Sequence, residues 1–226
     1  MSSINHALGL TLPVALALAP VGLAHAAVSV GETDTRLVLT GDILADESDI
    51  ELSSSTGSGT LEDAEWDDSY RIGLDIGTQR ILSDAGGPLL TTGLSLAYSR
   101  YVAEDDGSEF SGNAITLSPR IGVGVHATEW LFLEANAFAG LGLSQFSYEV
   151  DDLDIDDDSD GDFAWEYGIF GAASFAFAET FVVGARVGWM SQHIEGTFDG
   201  GTLTEEVTVE SDSSGMFYGA MIGLRF

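Results

Sequence analysis

The stretch MFYGAMIGLRF, residues 216–226, alternates strictly between two kinds of side chain and decides the fold. One set is apolar, and the other includes the glycines and an arginine. The two sets are Met216, Tyr218, Ala220, Ile222, Leu224 and Phe226 on one side, and Phe217, Gly219, Met221, Gly223 and Arg225 on the other. A period of two places them on opposite faces of a β-strand. The stretch therefore predicts a strand whose two faces meet different surroundings.

Seven other segments repeat this alternation, so the chain is expected to form eight strands. In residues 115–126, an apolar face opposes one that carries Thr116 and Arg120. Residues 180–192 oppose another apolar face to one that carries Arg186. The remaining segments are residues 70–79, 90–101, 131–144 and 165–177, with a weaker one at 36–44.

The size of the side chains on each face indicates which face points inward. A soluble sandwich would bury its apolar faces and hydrate its polar ones, so alternation alone leaves that fold open. The centre of a small barrel has little room, which suits a face rich in glycine, serine and alanine with a few paired charges. The apolar face would then meet lipid.

The lengths of the connections support a barrel that crosses a membrane. Long, acidic or Gly/Ser-rich connections at 45–68, 102–112, 149–162 and 191–214 alternate with short ones at 83–88, 127–129 and 178–180. Outer-membrane barrels alternate short periplasmic turns with long extracellular loops in this way. The sequence thus predicts an all-β fold, an eight-stranded antiparallel up-and-down transmembrane β-barrel with strands of roughly 9–11 residues. Both termini would be periplasmic and the loops extracellular.

Large aromatic residues are expected to form two girdles, because amphipathic rings prefer the membrane–water interfaces. The girdle near the long loops would comprise Tyr70, Tyr98, Tyr101, Trp165, Tyr167, Trp189 and Tyr218. The girdle near the short turns would comprise Trp130, Phe132, Phe175, Phe177, Phe181 and Phe226.

Composition excludes several classes of protein. The chain has 37 acidic residues against 7 basic ones, no lysine, and a net charge of −30, which disfavours nucleic acid as a partner. Without cysteine there can be neither a disulfide scaffold nor a thiol enzyme. Residues 1–26 are apolar and end in Ala24-His25-Ala26, which predicts a signal peptide and leaves 27–226 as the barrel domain.

The C-terminal stretch resembles the assembly signal of outer-membrane proteins, in which a terminal Phe closes an alternating apolar strand. The residues that match are Tyr218, Ala220, Ile222, Leu224 and Phe226. Nearly the whole chain after residue 26 resembles the eight-stranded OmpA/OmpX-like group of outer-membrane barrels. The resemblance implies recognition by the barrel assembly machinery and contact with outer-membrane lipid and lipopolysaccharide. No peptidoglycan-binding domain of the OmpA kind follows Phe226, so we expect no cell-wall tether.

Charged residues on the small-residue faces are predicted to lie inside the barrel. They are Arg71, Asp75, Arg120, Glu134, Glu166, Arg186 and Arg225, with Gln79 and Asn136 beside them. Enclosed charges are costly unless they are paired, so we expect an Arg–carboxylate network that plugs the lumen, with Arg120 and Arg186 bound to Glu134 or Glu166. The alternative is a narrow ion path.

One acidic loop matches the first half of a calcium-binding loop. Asp156, Asp158 and Asp160 alternate and precede Gly161, as oxygen ligands do in such loops. The position that should supply a bidentate glutamate is Tyr167. We therefore expect a solvated loop with loosely bound Ca²⁺ or another divalent cation, and no other cofactor.

Two histidines have a hydroxyl nearby in sequence, His126 with Thr128 and His193 with Ser191, but neither has an evident third partner for catalysis. The predicted function is therefore that of a non-enzymatic outer-membrane barrel with a plugged lumen and acidic extracellular loops, acting in envelope integrity or surface interaction. A lipid-modifying enzyme and a small ion-conducting pore are the alternatives. The sequence names no surface ligand.

Overall fold

The computed structural model describes residues 33–81, 87–105, 108–150, 155–177, 180–198 and 206–226. The predicted signal peptide at 1–26 and the start of the barrel domain at residue 27 lie outside these residues. No helix in the described part of the chain is long and apolar enough to cross a membrane.

The described residues form ten β-strands. These are β1 (Thr33–Ser54), β2 (Gly57–Glu65), β3 (Asp68–Ile81), β4 (Leu89–Asp105), β5 (Ser108–His126), β6 (Leu131–Val150), β7 (Ile155–Asp158), β8 (Asp160–Phe177), β9 (Phe181–Phe198) and β10 (Val207–Arg225).

Eight of the strands close into a ring. Each strand pairs antiparallel with the next in the order β1, β3, β4, β5, β6, β8, β9 and β10, and β10 pairs with β1. This arrangement confirms the predicted eight-stranded up-and-down barrel. The other two strands are extensions: β2 continues the line of β3 along the far half of β1, and β7 continues the line of β8 along β6.

The register of the ring fixes its width. Following paired residues once around the barrel leads through Leu39, Leu74, Leu96, Leu117, Leu141, Trp165, His193, Asp212 and Asp49. One circuit therefore advances ten positions along β1. Such a shear over eight strands implies a tilt of about 40° and a radius of about 8 Å. A ring this narrow has room for side chains and little else.

The two ends of the barrel differ. At one end, which we call the short-turn end, Phe226 donates its backbone N–H to Thr35 O at 3.0 Å and accepts from Thr35 N at 3.1 Å. The connections after β3, β5 and β8 lie at the same end. At the other end, which we call the hairpin end, the strands continue into β-hairpins.

Burial follows the predicted alternation. On β10, Tyr218, Ile222 and Phe226 are exposed, whereas Phe217 and Met221 are buried inside the ring. The other strands likewise present large apolar side chains outward, among them Leu39, Ile43, Ile72, Leu74, Ile76, Leu94, Leu96, Ile115, Leu117, Ile121, Val123, Leu141, Ile169 and Val187. In water such a surface would be unfavourable, so it is a lipid-facing belt.

Aromatic rings mark the height of this belt. Trp130 and Phe175 stack near the short-turn end, and Trp165 and Tyr167 stack toward the hairpin end. Phe175 and Trp165 are ten positions apart on β8, which at the rise and tilt of this barrel is about 25 Å along its axis. An apolar band of that height matches the outer-membrane barrels.

Two girdle predictions were wrong: Tyr101 and Phe132 point into the lumen and are only 1% and 2% exposed. Tyr101 shares the parity of the inward Ser99 on β4, and Phe132 that of the inward Glu134 on β6. Both residues lie at the height of a membrane interface, which led to the prediction. Whether a side chain points inward or outward is decided by its odd or even position in the strand.

The predicted strand length was also too short. The ring strands have from 14 to 22 residues, because much of what was predicted to be long loops continues the ladder as hairpins. Residues 45–54 extend β1, for example, and Glu47–Ser54 pair with β2, which follows a two-residue turn at Ser55 and Thr56. Above the lipid both faces of a strand can meet water, so polar side chains do not prevent pairing.

We predict that the β1–β10 seam tolerates alanine at Gly41 but not at Gly219. A Cβ at Gly219 would overlap Asp42 Oδ1 and the carbonyl oxygen of Gly41, whereas a Cβ at Gly41 would meet nothing within 4 Å. Overpacking of this kind costs about 1–3 kcal/mol. Gly219→Ala should therefore reduce the band of folded, faster-migrating protein in unboiled SDS samples, and Gly41→Ala should leave it unchanged. Equal folding of the two variants would contradict the register described here.

Candidate functional site

The centre of the lumen holds a cluster of three arginines and two aspartates. Arg186 on β9 donates from Nε to Asp42 Oδ1 at 2.7 Å and forms a second bond from Nη2 to Asp42 Oδ2. Its Nη1 lies 3.3 Å from Asp75 Oδ2, and Arg120 Nη1 lies 3.3 Å from the same oxygen. Arg71 completes the cluster from β3. The fork of Arg186 thus binds Asp42 through two bonds, the strongest geometry available to such a pair.

The third carboxylate of the central lumen is Glu166 on β8, which is 1% exposed. It accepts hydrogen bonds from Arg71 Nη2 at 2.6 Å, Ser118 Oγ at 2.5 Å and Gln192 Nε2 at 3.2 Å. Gln192 in turn accepts a bond from the Tyr101 hydroxyl at 2.6 Å. Donors from three other strands therefore hold this one buried charge, and Tyr101 on a fourth strand orients one of them.

A second ionic cluster lies toward the short-turn end. Arg225 Nε is 2.9 Å from Asp34 Oδ2. Arg36 donates to Gln79 Oε1 at 2.9 Å and to Ser174 Oγ at 3.2 Å. Glu134 lines the same small cavity as Arg36 and supplies a compensating negative charge.

Aromatic rings fill the space between the charges. Arg186 lies 5.6 Å from the Phe170 ring centre and 5.7 Å from that of Phe217, and Arg71 lies 5.7 Å from that of Phe138. The three rings also contact one another. Cation–π attraction adds to the ion pairs, and the rings exclude water from them.

Glycines on the inner face make room for the long arginine side chains. A Cβ at Gly77 would lie 2.5 Å from Arg120 Nη2, and one at Gly93 would lie 2.6 Å from Arg120 Nε. Arg120 therefore extends across the bare backbone of β3 and β4. Inward glycines on β3 and β4 thus provide the space that the inward Arg120 of β5 occupies.

Toward the hairpin end the lumen becomes apolar. The Trp66 ring stacks on Phe110 at 6.1 Å between centres, and Phe110 stacks on Phe146 at 5.3 Å. Trp66 Nε1 donates to Ser48 Oγ at 2.5 Å. Ile194, Phe198 and Val209 belong to the same buried cluster. This apolar cap closes the lumen above the charged layer.

Little space is left between these layers. The cavity beside Arg71, Arg120 and Arg186 and the one beside Arg36 and Glu134 each have a volume of about 10 Å³. That is room for about one water molecule.

The structure places all seven predicted lumen charges on the inner face of the ring: Arg71, Asp75, Arg120, Glu134, Glu166, Arg186 and Arg225. Their partners differ from the predicted ones, because Arg186 and Arg120 contact Asp42 and Asp75 rather than Glu134 or Glu166. The carboxylate that an arginine contacts depends on the shear of the barrel. The sequence of a single strand does not reveal that shear.

Three lumen charges were missed in the sequence: Asp34, Arg36 and Asp42. All three lie on β1, whose alternation is weak because its far half belongs to a polar hairpin. The signal was nevertheless present, since Arg36, Thr40 and Asp42 share one parity and all three are buried. The inward direction of Phe217 agrees with its predicted face, whereas Phe138 and Phe170 were not predicted to lie in the lumen.

The calcium prediction stays a prediction. The side chain of Asp156 lies outside the described residues, and Asp158 and Asp160 are exposed on β7 and β8. Among the residues that the structure describes, no group of three or more acidic or histidine side chains is arranged to hold a metal ion.

The two histidines differ in their surroundings. His126 ends β5 and packs at a tilt against Phe132, with 5.1 Å between ring centres. His193 lies on β9 rather than in a loop, and its Nδ1 is 2.8 Å from Asp212 Oδ1 on β10. Asp212 is thus the third partner that the sequence did not reveal. Ser191 precedes His193 by two positions and so shares its outward face.

Carboxylates form a row on the outer surface near the hairpin end, above the lipid-facing belt. Glu51, Glu210 and Glu195 are directly opposite one another on β1, β10 and β9, and Asp162 lies beside Glu195 at a bulge in β8. Partial burial raises the pKa of Glu195, and the charges of Asp162 and Glu210 raise it further. Like charges in this position repel.

We predict that Glu195→Gln stabilises the barrel at neutral pH. Since the pKa of Glu195 is higher in the folded protein than in the unfolded chain, ionisation of Glu195 opposes folding, and this cost disappears as the pH falls below the ordinary carboxyl value of about 4.3. Urea unfolding at several pH values should show a gain for the variant that vanishes in acid. Glu206→Gln controls for the change in net charge. A gain that persists unchanged in acid would argue against the repulsion.

The Arg186–Asp42 pair should be worth far more than an exposed pair. Arg186→Ala and Asp42→Ala are each expected to destabilise the folded barrel by about 3–5 kcal/mol, because each leaves a buried charge without its partner. The double variant should lose less stability than the sum of the two single losses. Arg100 and Glu109 are 2.9 Å apart but over one-third exposed, so their removal should cost about 0–1 kcal/mol. Unfolding in lipid vesicles measures both. Additive losses at Arg186 and Asp42 would exclude the coupling.

No family model and no curated protein matches the chain. Among solved structures it is similar to Neisserial surface protein A, with 17% identity, 84% of this chain and 97% of that one covered, and a TM-score of 0.43. It is also similar to OprG from Pseudomonas aeruginosa, with 10% identity, 88% of this chain and 98% of that one covered, and a TM-score of 0.48. A third similar structure is Ail of Yersinia pestis, with 14% identity, 87% of this chain and 99% of that one covered, and a TM-score of 0.35. The fold assignment rests on the strand pairing of the chain itself. A closed ring of eight antiparallel strands, with an apolar outer belt and charged residues on its inner face, gives the chain the fold of the OmpA/OmpX-like outer-membrane β-barrels.

Proposed function

We propose that this outer-membrane barrel neither conducts ions nor catalyses a reaction, and that it displays acidic β-hairpins at the cell surface for envelope integrity or surface interaction. The proposal is supported by the side chains that point into the lumen. Charged and aromatic layers occupy it from the short-turn end to the apolar cap at the hairpin end.

The charge balance inside the ring supports a plug. Five arginines, Arg36, Arg71, Arg120, Arg186 and Arg225, share the lumen with five carboxylates, Asp34, Asp42, Asp75, Glu134 and Glu166. An ion crossing this layer would have to separate buried pairs, each of which resists separation by several kcal/mol. A ring of this radius is just wide enough for side chains, which supports a lumen without a water-lined path.

The charge distribution supports display. The charges of these ten lumen residues cancel, so the net charge of −30 comes from other residues of the chain. Exposed carboxylates such as Glu47, Asp49 and Glu51 continue up β1 beyond the belt. With the hairpin end outside the cell, the rigid ring would present these charges to the environment. The belt below them would contact outer-membrane lipid and lipopolysaccharide.

A lipid-modifying enzyme remains a second candidate because of one observation. His193 is held by Asp212, and Ser191 lies on the same outward face, so the residue types of a hydrolase triad share one surface. Trp165 stacks on the His193 ring at 5.6 Å. We favour the structural role for this pair, since the flat outer face of a sheet offers no evident pair of backbone donors for an oxyanion.

Reconstitution tests the plug. Purified protein in planar bilayers should give a current equal to that of the protein-free membrane in concentrated KCl, because the ion pairs and rings fill the ring. A general porin in the same bilayer serves as the positive control. Discrete channel openings that change in size when Arg186 is replaced by alanine would overturn the proposal in favour of a pore.

Lipid turnover separates the enzyme from the display protein. Vesicles of phospholipid and lipopolysaccharide should release no fatty acid above background when the folded barrel is present. The matched pair is His193→Ala and His126→Ala, since His126 lies at the opposite end of the barrel. Hydrolysis that His193→Ala abolishes and His126→Ala preserves would establish the second candidate instead.

A further inference from the structure

The β1–β2 hairpin rises above its neighbour on one side. In the described part of the chain, β2 pairs with β1 alone. The strand that would lie on its other side is β4, but the β4–β5 hairpin already turns after Asp105 and resumes at Ser108. On this side, the hydrogen bond nearest the hairpin end is the one from Asp67 N, between β2 and β3, to Val102 O on β4 at 2.8 Å. Above this point, none of the strands that the structure describes pairs with the outer edge of β2.

The free edge carries backbone groups that a strand could bind. Ser54 and Gly57 flank the two-residue turn and form a hydrogen-bonded pair. Because such pairs alternate along an antiparallel ladder, Ser58 and Thr60 direct their N–H and C=O groups away from β1. Edge strands are commonly blocked by proline or lysine, and β2 contains neither.

Apolar side chains lie beside this edge. Leu61 is 60% exposed and Leu52 is 47% exposed, although both continue the inward face of the hairpin. Leu61 is opposite Ile50, which is buried in the apolar cap. Leu61 is therefore exposed beside the apolar cap, on the side where no described strand pairs with β2. An added strand would cover Leu61.

Charge selects the kind of strand. Glu47 and Glu51 are exposed on β1, and Glu210 lies next to Glu51 on β10. The sequence of β2 itself contains three acidic residues and no basic one. A basic segment would be attracted to this hairpin, and an acidic one, including another copy of the same hairpin, would be repelled.

We propose that the free edge of β2 binds an extended, basic segment of a partner protein by strand addition. The segment would form ladder bonds with Ser58 and Thr60, place an apolar side chain over Leu61 and direct basic side chains toward Glu47 and Glu51. This inference rests on the proposed display function and names the partner class for one hairpin.

The binding test uses the whole folded barrel in detergent and a labelled peptide of alternating lysine and valine as the probe. Fluorescence anisotropy should show saturable binding, and amide exchange at Ser58 and Thr60 should slow when the peptide is present. An N-methylated peptide of the same sequence cannot donate ladder bonds and should bind at least about tenfold more weakly. Equal binding of the two peptides, or no binding at all, would overturn the proposal.

Matched variants locate the site. Thr60→Pro removes an outward N–H and should weaken binding by about tenfold, whereas Thr60→Val keeps the N–H and should bind as the wild type does. Replacing both Glu47 and Glu51 by glutamine should weaken binding and reduce its dependence on salt. If Thr60→Pro binds normally, the attraction is diffuse and the edge is not the site. These outcomes are independent of bilayer conductance, so loss of the peptide site and loss of the display function can be told apart.

Discussion

Closure of the hydrogen-bonded ring is the constraint on which the rest of the structure depends. In hydrocarbon an unpaired backbone group costs several kcal/mol, so β10 must meet β1 along their whole length. The pairing does this from Arg36 opposite Arg225 up to Ser54 opposite Val207. Once the ring closes with its shear of ten, its radius is set, and the radius decides how much side-chain volume the lumen can hold.

The contents of the lumen follow from that volume. The narrow interior cannot remain empty, and glycine alone would leave voids, so aromatic rings and arginines fill it. Arginine needs a carboxylate, which explains why Asp42, Asp75 and Glu166 occur on faces that are otherwise small or apolar. The lumen uses five of the seven arginines of the chain, so few basic residues remain to pair with the outer carboxylates.

Alternation in the sequence was sufficient to predict the strands, their faces and the inward direction of seven lumen charges, because parity is a local property of a strand. It did not predict the partners of Arg120 and Arg186, since these depend on the stagger between residues far apart in the chain. Tyr101 and Phe132 were misplaced because their rings resemble interface residues while their parity points inward. The hairpins were missed because polar ladders in water have no apolar face to signal them.

The continuation of the ladder above the belt has a consequence for how such a protein diversifies. The hairpins are held by backbone bonds, which any residue except proline can make, and their outward side chains rest on no core. Those side chains, such as Glu51 or Glu210, can therefore be substituted while the ring and its lumen stay unchanged. The exposed surface of the hairpins can thus change in sequence independently of the barrel that supports it.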